Sequence, residues 1–242
     1  MSSPVIETFP DTAAWAEACA ARLGETLGAA VLDQGRAVFA GAGGSTPSPI
    51  YADLARIELD WSNIIVTLVD ERYVPETSPD SNAALMKRTL LTGPASAARF
   101  LPLYSPAVTV DRAAAEASKA LAAQTEKTEG GRLDAVLLGM GEDGHICSMF
   151  PDSPTLKTLL TPDLKPAVYG VPPGRDGAAP PQERLSINLA YLVGARRVVL
   201  ALTGAAKRAV FEREAQGDPR VHPVAAMIAA KVPLEVLWTE AV

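Results

Sequence analysis

The sequence is poor in the residues that build disulfide frameworks and metal centres. Its 242 residues include two cysteines, Cys19 and Cys147, and two histidines, His145 and His222. Two cysteines far apart in the chain give neither a disulfide framework nor the ligand spacing of a metal site. Cys19 falls on the apolar stripe of a predicted helix, where a small core residue is expected. We therefore expect no metal and no cofactor, in a reducing cytoplasmic compartment.

Long apolar runs and an excess of basic residues are missing as well. No segment approaches the ~20 consecutive apolar residues of a membrane span, and residues 1–10 lack the basic-then-apolar pattern of a signal peptide. The formal net charge of −6 and the pI near 5.1 argue against a nucleic-acid-binding surface. An apolar fraction of 48% is ordinary for a globular protein. With no repeat, low-complexity tract or linker, residues 1–242 are predicted to form a single domain.

Short apolar runs alternate with helical patterns along the chain. Strands are predicted at 37–40, 64–69, 135–138, 167–171, 184–187, 198–202 and 234–238. Helices are predicted at 11–32, 47–55, 82–91, 111–127, 189–193, 205–216 and 223–230. This alternation predicts an α/β fold, an open, largely parallel, doubly wound Rossmann-like sheet with helices on both faces. Residues 151–181, rich in Pro, Gly and Thr, are expected to be irregular with one strand and to fold over the mouth of the site.

A glycine loop connects the first predicted strand to a helix and contains Gly43, Gly44, Ser45 and Thr46. Successive backbone N–H groups and the positive end of the helix dipole form an anion site there, above all for phosphate. Ser45 and Thr46 can cap the helix or bond phosphate oxygens directly. In isolation the loop is more simply a tight turn with a Ser/Thr cap, because it matches neither a Walker loop nor a dinucleotide fingerprint.

Charged side chains stand at two further strand ends. Asp70, Glu71 and Arg72 follow an apolar strand, and Asn82 begins a helix after a Ser-Pro-Asp-Ser turn. Lys207 lies in the first turn of a predicted helix, where the positive end of the dipole disfavours a cation. A bound anion would resolve that conflict, although ordinary solvation of the lysine and a surface ion pair at 70–72 account for the same pattern.

The central apolar run ends in three glycines, Gly139, Gly141 and Gly144, followed at once by His145. Glycines permit positive φ angles and close approach of a ligand. Ligands of open α/β sheets bind outside the carboxyl ends of the strands, so His145 is a candidate general base. An arbitrary histidine is more often packed or capping a helix, but the glycines and the strand end favour catalysis here. His222, in a connecting loop, is not expected to take part.

These segments together resemble the motifs of the glucosamine-6-phosphate isomerase/6-phosphogluconolactonase family. The resemblance spans nearly the whole chain, through residues 43–47, 69–75, 78–82, 138–145 and 203–207. It implies a fold of the NagB/RpiA-like type. It also implies hydrolysis of 6-phospho-D-glucono-1,5-lactone to 6-phospho-D-gluconate, in the pentose phosphate or Entner–Doudoroff route of carbohydrate metabolism.

The resemblance also implies roles for individual residues. His145 would be the base that activates water, and Asp70 would orient His145 or bond sugar hydroxyls. The substrate and its phosphate would be held by Gly43, Gly44, Ser45, Thr46, Arg72, Asn82, Gly144, Arg184 and Lys207. Backbone N–H groups of the glycine loops are the expected oxyanion donors.

One alternative within the family is a glucosamine-6-phosphate deaminase or aldose–ketose isomerase. Lactonases more often read Thr-Ala after the histidine, whereas Ile146 is closer to the Gly-His-Ile of deaminases. Deaminases, however, carry Asp-Glu-Tyr where residues 70–72 read Asp-Glu-Arg, and Phe-Asn-Glu-Pro where residues 148–151 read Ser-Met-Phe-Pro. Both differences favour the lactonase. Cys147 stands where relatives carry alanine, so we expect it to pack rather than to act as a nucleophile.

The other alternative is a sugar-phosphate-sensing module without turnover. Against it, a pure binder has little need for an imidazole such as that of His145 opposite its phosphate loop. In either case the expected partner is a small sugar phosphate, with no nucleic acid and no membrane, and the chain is expected to be a monomer or a small homo-oligomer.

Overall fold

The structure, a computed structural model, describes residues 5–151, 153–173 and 182–241. Its strands, in chain order within these ranges, are β1 (Ile6–Phe9), β2 (Ala37–Gly41), β3 (Ile64–Leu68), β4 (Asp70–Arg72), β5 (Arg99–Phe100), β6 (Ala135–Leu138), β7 (Val168–Val171), β8 (Arg184–Ile187), β9 (Arg197–Thr203) and β10 (Leu234–Thr239). Its α-helices are α1 (Thr12–Gln34), α2 (Ser48–Leu54), α3 (Asn82–Thr89), α4 (Val110–Thr125), α5 (Leu156–Leu159), α6 (Leu189–Gly194), α7 (Gly204–Glu214) and α8 (Pro223–Ala229). Short 3₁₀ helices lie at Trp61–Asn63, Gly93–Ala97 and Glu129–Gly131.

A parallel sheet of seven strands forms the centre of the described part of the molecule. The strand order is β1-β10-β9-β6-β2-β3-β5, and each neighbouring pair runs parallel. Every residue of β2 and β6 is buried, which requires cover on both faces of the sheet. The prediction of an open, largely parallel α/β sheet with helices on both faces is confirmed.

A second, three-stranded sheet was not predicted. The segment 70–72, expected to be a loop, forms β4, which pairs antiparallel with β8, and β8 pairs antiparallel with β7. A polar tripeptide gives no hydrophobic periodicity, so its backbone pairing with β8 is invisible in the sequence. The register sets Arg72 directly opposite Arg184, which brings two cations from distant parts of the chain to one place.

The two edge strands of the main sheet also escaped prediction. β1 is only partly buried, and β5 consists of two residues, of which Arg99 is exposed. Edge strands lie half in solvent, so they lack the continuous apolar run by which the central strands were recognised.

The helix termini explain where the site loops begin and end. Asp11 caps α1 by accepting from the N–H of Ala14 at 2.8 Å, and Ser81 caps α3 in the same way through Ala84 at 3.2 Å. Of the two roles considered for Ser45 and Thr46, helix capping is not observed, because Pro47 precedes α2 and no side chain caps it. Both hydroxyl residues therefore stay in the glycine loop.

The segment expected to fold over the site instead packs elsewhere over much of its length. β7 lies against α4, where the Ser118 hydroxyl accepts from the N–H of Val168 at 2.7 Å and donates to its carbonyl at 2.9 Å. Residues 152 and 174–181 lie outside the described residues, so the prediction for them stays untested. No helix in the described ranges combines the length and the apolar character that a bilayer crossing requires.

Asp134 joins the beginning of β6 to β2 and α1. Its side chain is fully buried, and its carboxylate accepts from the N–H of Val38 at 2.8 Å and from the Gln34 amide at 3.0 Å. Burial raises the pKa of Asp134, against the opposing effect of these hydrogen bonds and of Arg196. The group holds together the two strands whose carboxyl ends carry the glycine loop and the His145 turn.

We expect Asp134→Ala to lower the free energy of unfolding by about 1–3 kcal/mol, because it leaves the buried N–H of Val38 without an acceptor. Urea denaturation measures the difference. Asp33→Ala is the matched control, since Asp33 also pairs with Arg196 but its side chain is 63% exposed, and its effect should stay below ~0.5 kcal/mol. Equal midpoints for the two variants would contradict the role of Asp134.

Candidate active site

A cavity of about 250 Å³ opens at the carboxyl ends of the parallel strands. Of the described residues, those lining it are Ala42, Gly43, Gly44, Ser45, Thr46, Val69, Asp70, Arg72, Asn82, Gly139, Met140, Gly141, His145, Cys147, Arg184 and Lys207. Ten of the eleven site residues predicted from the sequence are thus brought together. Gly144 is the site residue that does not line the cavity. The described residues 153–173, predicted to fold over the mouth of the site, do not line it either.

The glycine loop after β2 presents unused donors to the cavity. Within the described ranges, no backbone N–H group of residues 43–46 donates to another protein atom. Gly44 has a φ of 84°, which favours glycine. Gly43 leaves space for Asn82, since a Cβ at Gly43 would overlap the Asn82 amide. The Asn82 amide donates to the Asp70 carbonyl at 2.9 Å, so the side chain that packs against Gly43 is itself held in place by β4.

Glu71, whose role the sequence left open, fixes the position of two site residues. Its fully buried carboxylate accepts from the N–H groups of Arg72, Asn82 and Ala83 at 2.7–2.8 Å and from the Ser81 hydroxyl at 3.1 Å. Burial raises the pKa of Glu71, and the backbone hydrogen bonds oppose that shift. β4 and the N-terminus of α3 are thereby held as one frame, with Arg72 on one part and Asn82 on the other.

Two arginines face each other across β4 and β8. Arg72 donates through Nη1 to the Asp80 carbonyl, and the buried Nε atoms of Arg72 and Arg184 have no acceptor among the described residues. The Arg184 guanidinium lies 3.8 Å from the Asp70 carboxylate and 5.2 Å from the centroid of the Phe150 ring. Burial lowers the pKa of Arg184, while Asp70 opposes the shift.

Lys207 supplies the third cation, from the first turns of α7. No carboxylate among the described residues forms an ion pair with its ammonium group. Burial lowers the pKa of Lys207, and the charge of Glu142 opposes the shift. Among the described residues that line the cavity there are three cations and one carboxylate, that of Asp70, so the lining is positively charged although the chain as a whole is acidic.

His145 is held by a carboxylate that the sequence reasoning missed. Its Nδ1 lies 2.5 Å from Oδ1 of Asp143, which also accepts from the N–H of His145 at 3.2 Å. Phe150 packs against the imidazole with ring centroids 4.4 Å apart. A Cβ at Gly141 would overlap the ring, so the glycine makes room for the histidine. The Asp-Gly-His spacing was the available signal for this pair.

The protonation state of Asp143 follows from its surroundings. Burial tends to raise the pKa of Asp143, but the hydrogen bonds and charge of His145 outweigh burial and hold that pKa below its usual range. The carboxylate therefore stays ionised beside the imidazole. Asp70, the orienting group considered from the sequence, instead accepts from the Ser148 hydroxyl at 2.6 Å and faces Arg184.

Cys147 borders the cavity without the features of a reactive thiol. It is 8% exposed and has a φ of 51°, an uncommon angle for a residue other than glycine. Burial, and then the charge of Asp70, raises the pKa of Cys147 well above its ordinary value. The thiolate needed for nucleophilic attack is disfavoured, in agreement with a packing role.

The remaining candidates lie outside the cavity. Gly144, at a φ of 87°, packs behind the His145 turn against Glu214, and His222 bonds to Glu214 at 2.7 Å. Within the described ranges, no group of three or more His, Cys, Asp or Glu side chains is arranged to hold a metal ion.

Comparison with known proteins identifies the family. The sequence profile of "Glucosamine-6-phosphate isomerases/6-phosphogluconolactonase" matches residues 10–238. The 6-phosphogluconolactonase of Mesorhizobium japonicum is 40% identical over 230 residues, covering 95% of this chain and 93% of that protein. That of Rhizobium meliloti is 41% identical over 232 residues, covering 95% and 96%.

A solved structure agrees with the sequence comparison. The crystal structure of a 6-phosphogluconolactonase from Shewanella baltica superposes with a TM-score of 0.88 at 30% identity and covers 98% of both chains. The resemblance drawn from the motifs is confirmed. The chain belongs to the glucosamine-6-phosphate isomerase/6-phosphogluconolactonase family.

Proposed function

We propose that this protein is an enzyme that hydrolyses 6-phospho-D-glucono-1,5-lactone to 6-phospho-D-gluconate. One observation carries the proposal: a carboxylate-held imidazole, His145 with Asp143, borders the same cavity as three cations and a loop of free N–H groups. The identity of 40% and 41% between this chain and two 6-phosphogluconolactonases supports the same reaction. The reaction belongs to sugar-phosphate metabolism, and its route stays a prediction.

The phosphate of the substrate binds at the glycine-loop side of the cavity. The free N–H groups of residues 43–46 and the side chains of Ser45 and Thr46 surround it, and Arg72 and Lys207 supply charge. Arg184 lines the same pocket. The two buried Nε atoms without acceptors support this assignment, because a buried donor left unpaired costs about 1–3 kcal/mol.

The chemistry takes place at His145. Because Nδ1 donates to the ionised Asp143 carboxylate, Nε2 is the unprotonated nitrogen that accepts a proton from water. The water attacks C1 of the lactone, and the ring oxygen leaves with the proton that the imidazolium returns. Asp143 stabilises that imidazolium, which contributes to general-base catalysis of ~10²–10⁴-fold.

The remaining polar groups orient the sugar. Asp70, fixed by Ser148 and Arg184, accepts from sugar hydroxyls. N–H groups of the glycine loops face the carbonyl oxygen as it gains charge. An activated ester of this type needs no covalent nucleophile, which agrees with the buried, protonated thiol of Cys147.

The reaction class is tested first. The protein should release protons from freshly prepared 6-phosphogluconolactone well above the spontaneous rate and release no ammonia from glucosamine 6-phosphate. Both rates are measured on one preparation. Ammonia release at comparable turnover would instead assign the chain to the deaminases, and binding of 6-phosphogluconate without turnover would assign it to the sensing modules.

The division of labour between base and phosphate grip is tested by two variants. His145→Ala should bind 6-phosphogluconate almost normally, while kcat falls by ~10²–10⁴-fold. Lys207→Ala should raise KM by about 10–100-fold, because it removes a charged hydrogen bond made in ground and transition states alike. Lys119→Ala, an exposed lysine on α4, is the control. Wild-type kcat in a folded His145→Ala protein would refute the mechanism.

The lowered pKa of Lys207 predicts an alkaline limit to product binding. The ammonium form binds phosphate, and burial makes its proton leave below the ordinary pH for a lysine. Affinity for 6-phosphogluconate, measured by calorimetry from pH 8 upwards, should therefore fall in the wild type. Lys207→Arg should keep its affinity over the same range, since a guanidinium stays protonated. Parallel losses in both proteins would point to another titrating group.

A further inference from the structure

A buried carboxylate and a histidine are paired outside the cavity. Glu214 ends α7, and its side chain is 4% exposed. One of its oxygens, Oε2, lies 2.7 Å from Nδ1 of His222, and the other accepts from Arg213 at 3.3 Å. Neither Glu214 nor His222 lines the substrate cavity, so the pair has no direct contact with a substrate bound there.

The Glu214 carboxylate packs against the backbone of the turn that carries His145. A Cβ added to Gly144 would lie 2.6 Å from Cδ and 2.7 Å from Oε2 of Glu214, so the backbone of the turn rests against the carboxylate. The turn itself is closed by the N–H of Gly144 to the Gly141 carbonyl at 3.1 Å, and by the N–H of Gly141 to the His145 carbonyl at 2.9 Å. A shift of Gly144 would therefore move His145.

The loop between α7 and α8 holds His222 against the Glu214 carboxylate. The N–H of His222 donates to the Asp218 carbonyl at 2.9 Å. A Cβ at Gly217 would overlap the His222 ring, so that glycine makes room for the imidazole. With its hydrogen bonds in place, the buried Glu214 carboxylate is costly to displace.

We propose that Glu214 and His222 are positioning residues that hold the His145 turn in place, and that they therefore affect kcat rather than substrate affinity. The inference rests on the proposed role of His145 as the base. Holding a reacting group in place is worth much to a rate, since a misplacement of ~1 Å can cost ~10²-fold. The phosphate grip lies on the glycine loop, on β4 and, through Lys207, in the first turns of α7. Glu214 is the last residue of that helix and, like His222, does not line the cavity, so we expect the grip to keep its place when the pair is changed.

Kinetics of Glu214 variants test the proposal. Glu214→Ala should lower kcat by about 10–100-fold, with KM and the affinity for 6-phosphogluconate unchanged. Glu214→Gln keeps the packing against Gly144 and an acceptor for His222, so it should retain most of kcat. Glu212→Ala is the matched control, because Glu212 is exposed on the same helix and pairs with Arg208. A folded Glu214→Ala protein with wild-type kcat, or with kcat and KM impaired alike, overturns the proposal.

If Glu214→Ala does not fold, His222→Ala carries the same test, since it removes the partner that holds the carboxylate. It should lower kcat by a smaller factor and leave KM unchanged. Unchanged kcat in this variant overturns the pairing.

A spectroscopic readout separates this proposal from the mechanism. The chain has two histidines, so ¹⁵N-histidine NMR shows two imidazoles, assigned with His145→Ala and His222→Ala. Glu214→Ala, or His222→Ala if the former does not fold, should move the ring resonances of His145. Unchanged ring resonances of His145 overturn the proposal. If His145→Ala keeps wild-type kcat, the proposed mechanism fails instead, and the spectrum still reports whether the pair fixes the turn.

Discussion

The buried carboxylate of Glu71 is the constraint on which the arrangement of the substrate cavity depends. A carboxylate removed from water is costly unless its oxygens are fully hydrogen-bonded. Here three N–H groups and a hydroxyl provide those bonds, at the N-terminus of a helix where a negative charge is also favoured by the dipole. Because the donors come from β4 and α3, the same bonds fix Arg72, Asn82 and, through Asn82, the glycine loop. The rigid placement of Arg72, Asn82 and the glycine loop thus follows from the need to satisfy one buried charge.

The cavity has a cationic side and a side that carries His145. At one side, Arg72 and Lys207, which pair with no carboxylate among the described residues, line the cavity together with the free N–H groups of the glycine loop, which suits a ligand that brings its own negative charge. At the other side, the Asp143 carboxylate accepts from the His145 imidazole, which in the proposed mechanism takes a proton from water. Asp70 lies between them with its charge divided between Ser148 and Arg184. Under the proposed mechanism the substrate is bound by one set of groups and transformed by another, which is the condition for positioning to increase a rate.

The sequence predicted those parts of the fold that depend on local pattern. β2, β6 and β9 were recognised because buried parallel strands read as continuous apolar runs, and the convergence of their polar loops followed from parallel topology. β4 was not, because its three polar residues become a strand only through β8, more than a hundred residues away. The same limit applies to Glu71 and Glu214, because their contacts join segments whose proximity no sequence pattern reveals.

Some of the site could have been found with closer attention to spacing. Asp143, two residues before His145, lies within the glycine turn itself, so the pair was accessible to sequence reasoning. His222 does not line the cavity, and its contact with Glu214 is a property of three-dimensional packing alone.

The pairing of Arg72 with Arg184 across β4 and β8 has a consequence for the resting enzyme. The two guanidinium groups carry like charges and repel each other, and the charge of Arg72 adds to burial in lowering the pKa of Arg184. An anion bound between them relieves that repulsion and, by mass action, stabilises the folded state. Any small oxyanion abundant in the surroundings is then expected both to protect the protein against heat and to compete with the substrate. We therefore expect such a site to hold an anion between turnovers, so that substrate binding is an exchange of one anion for another.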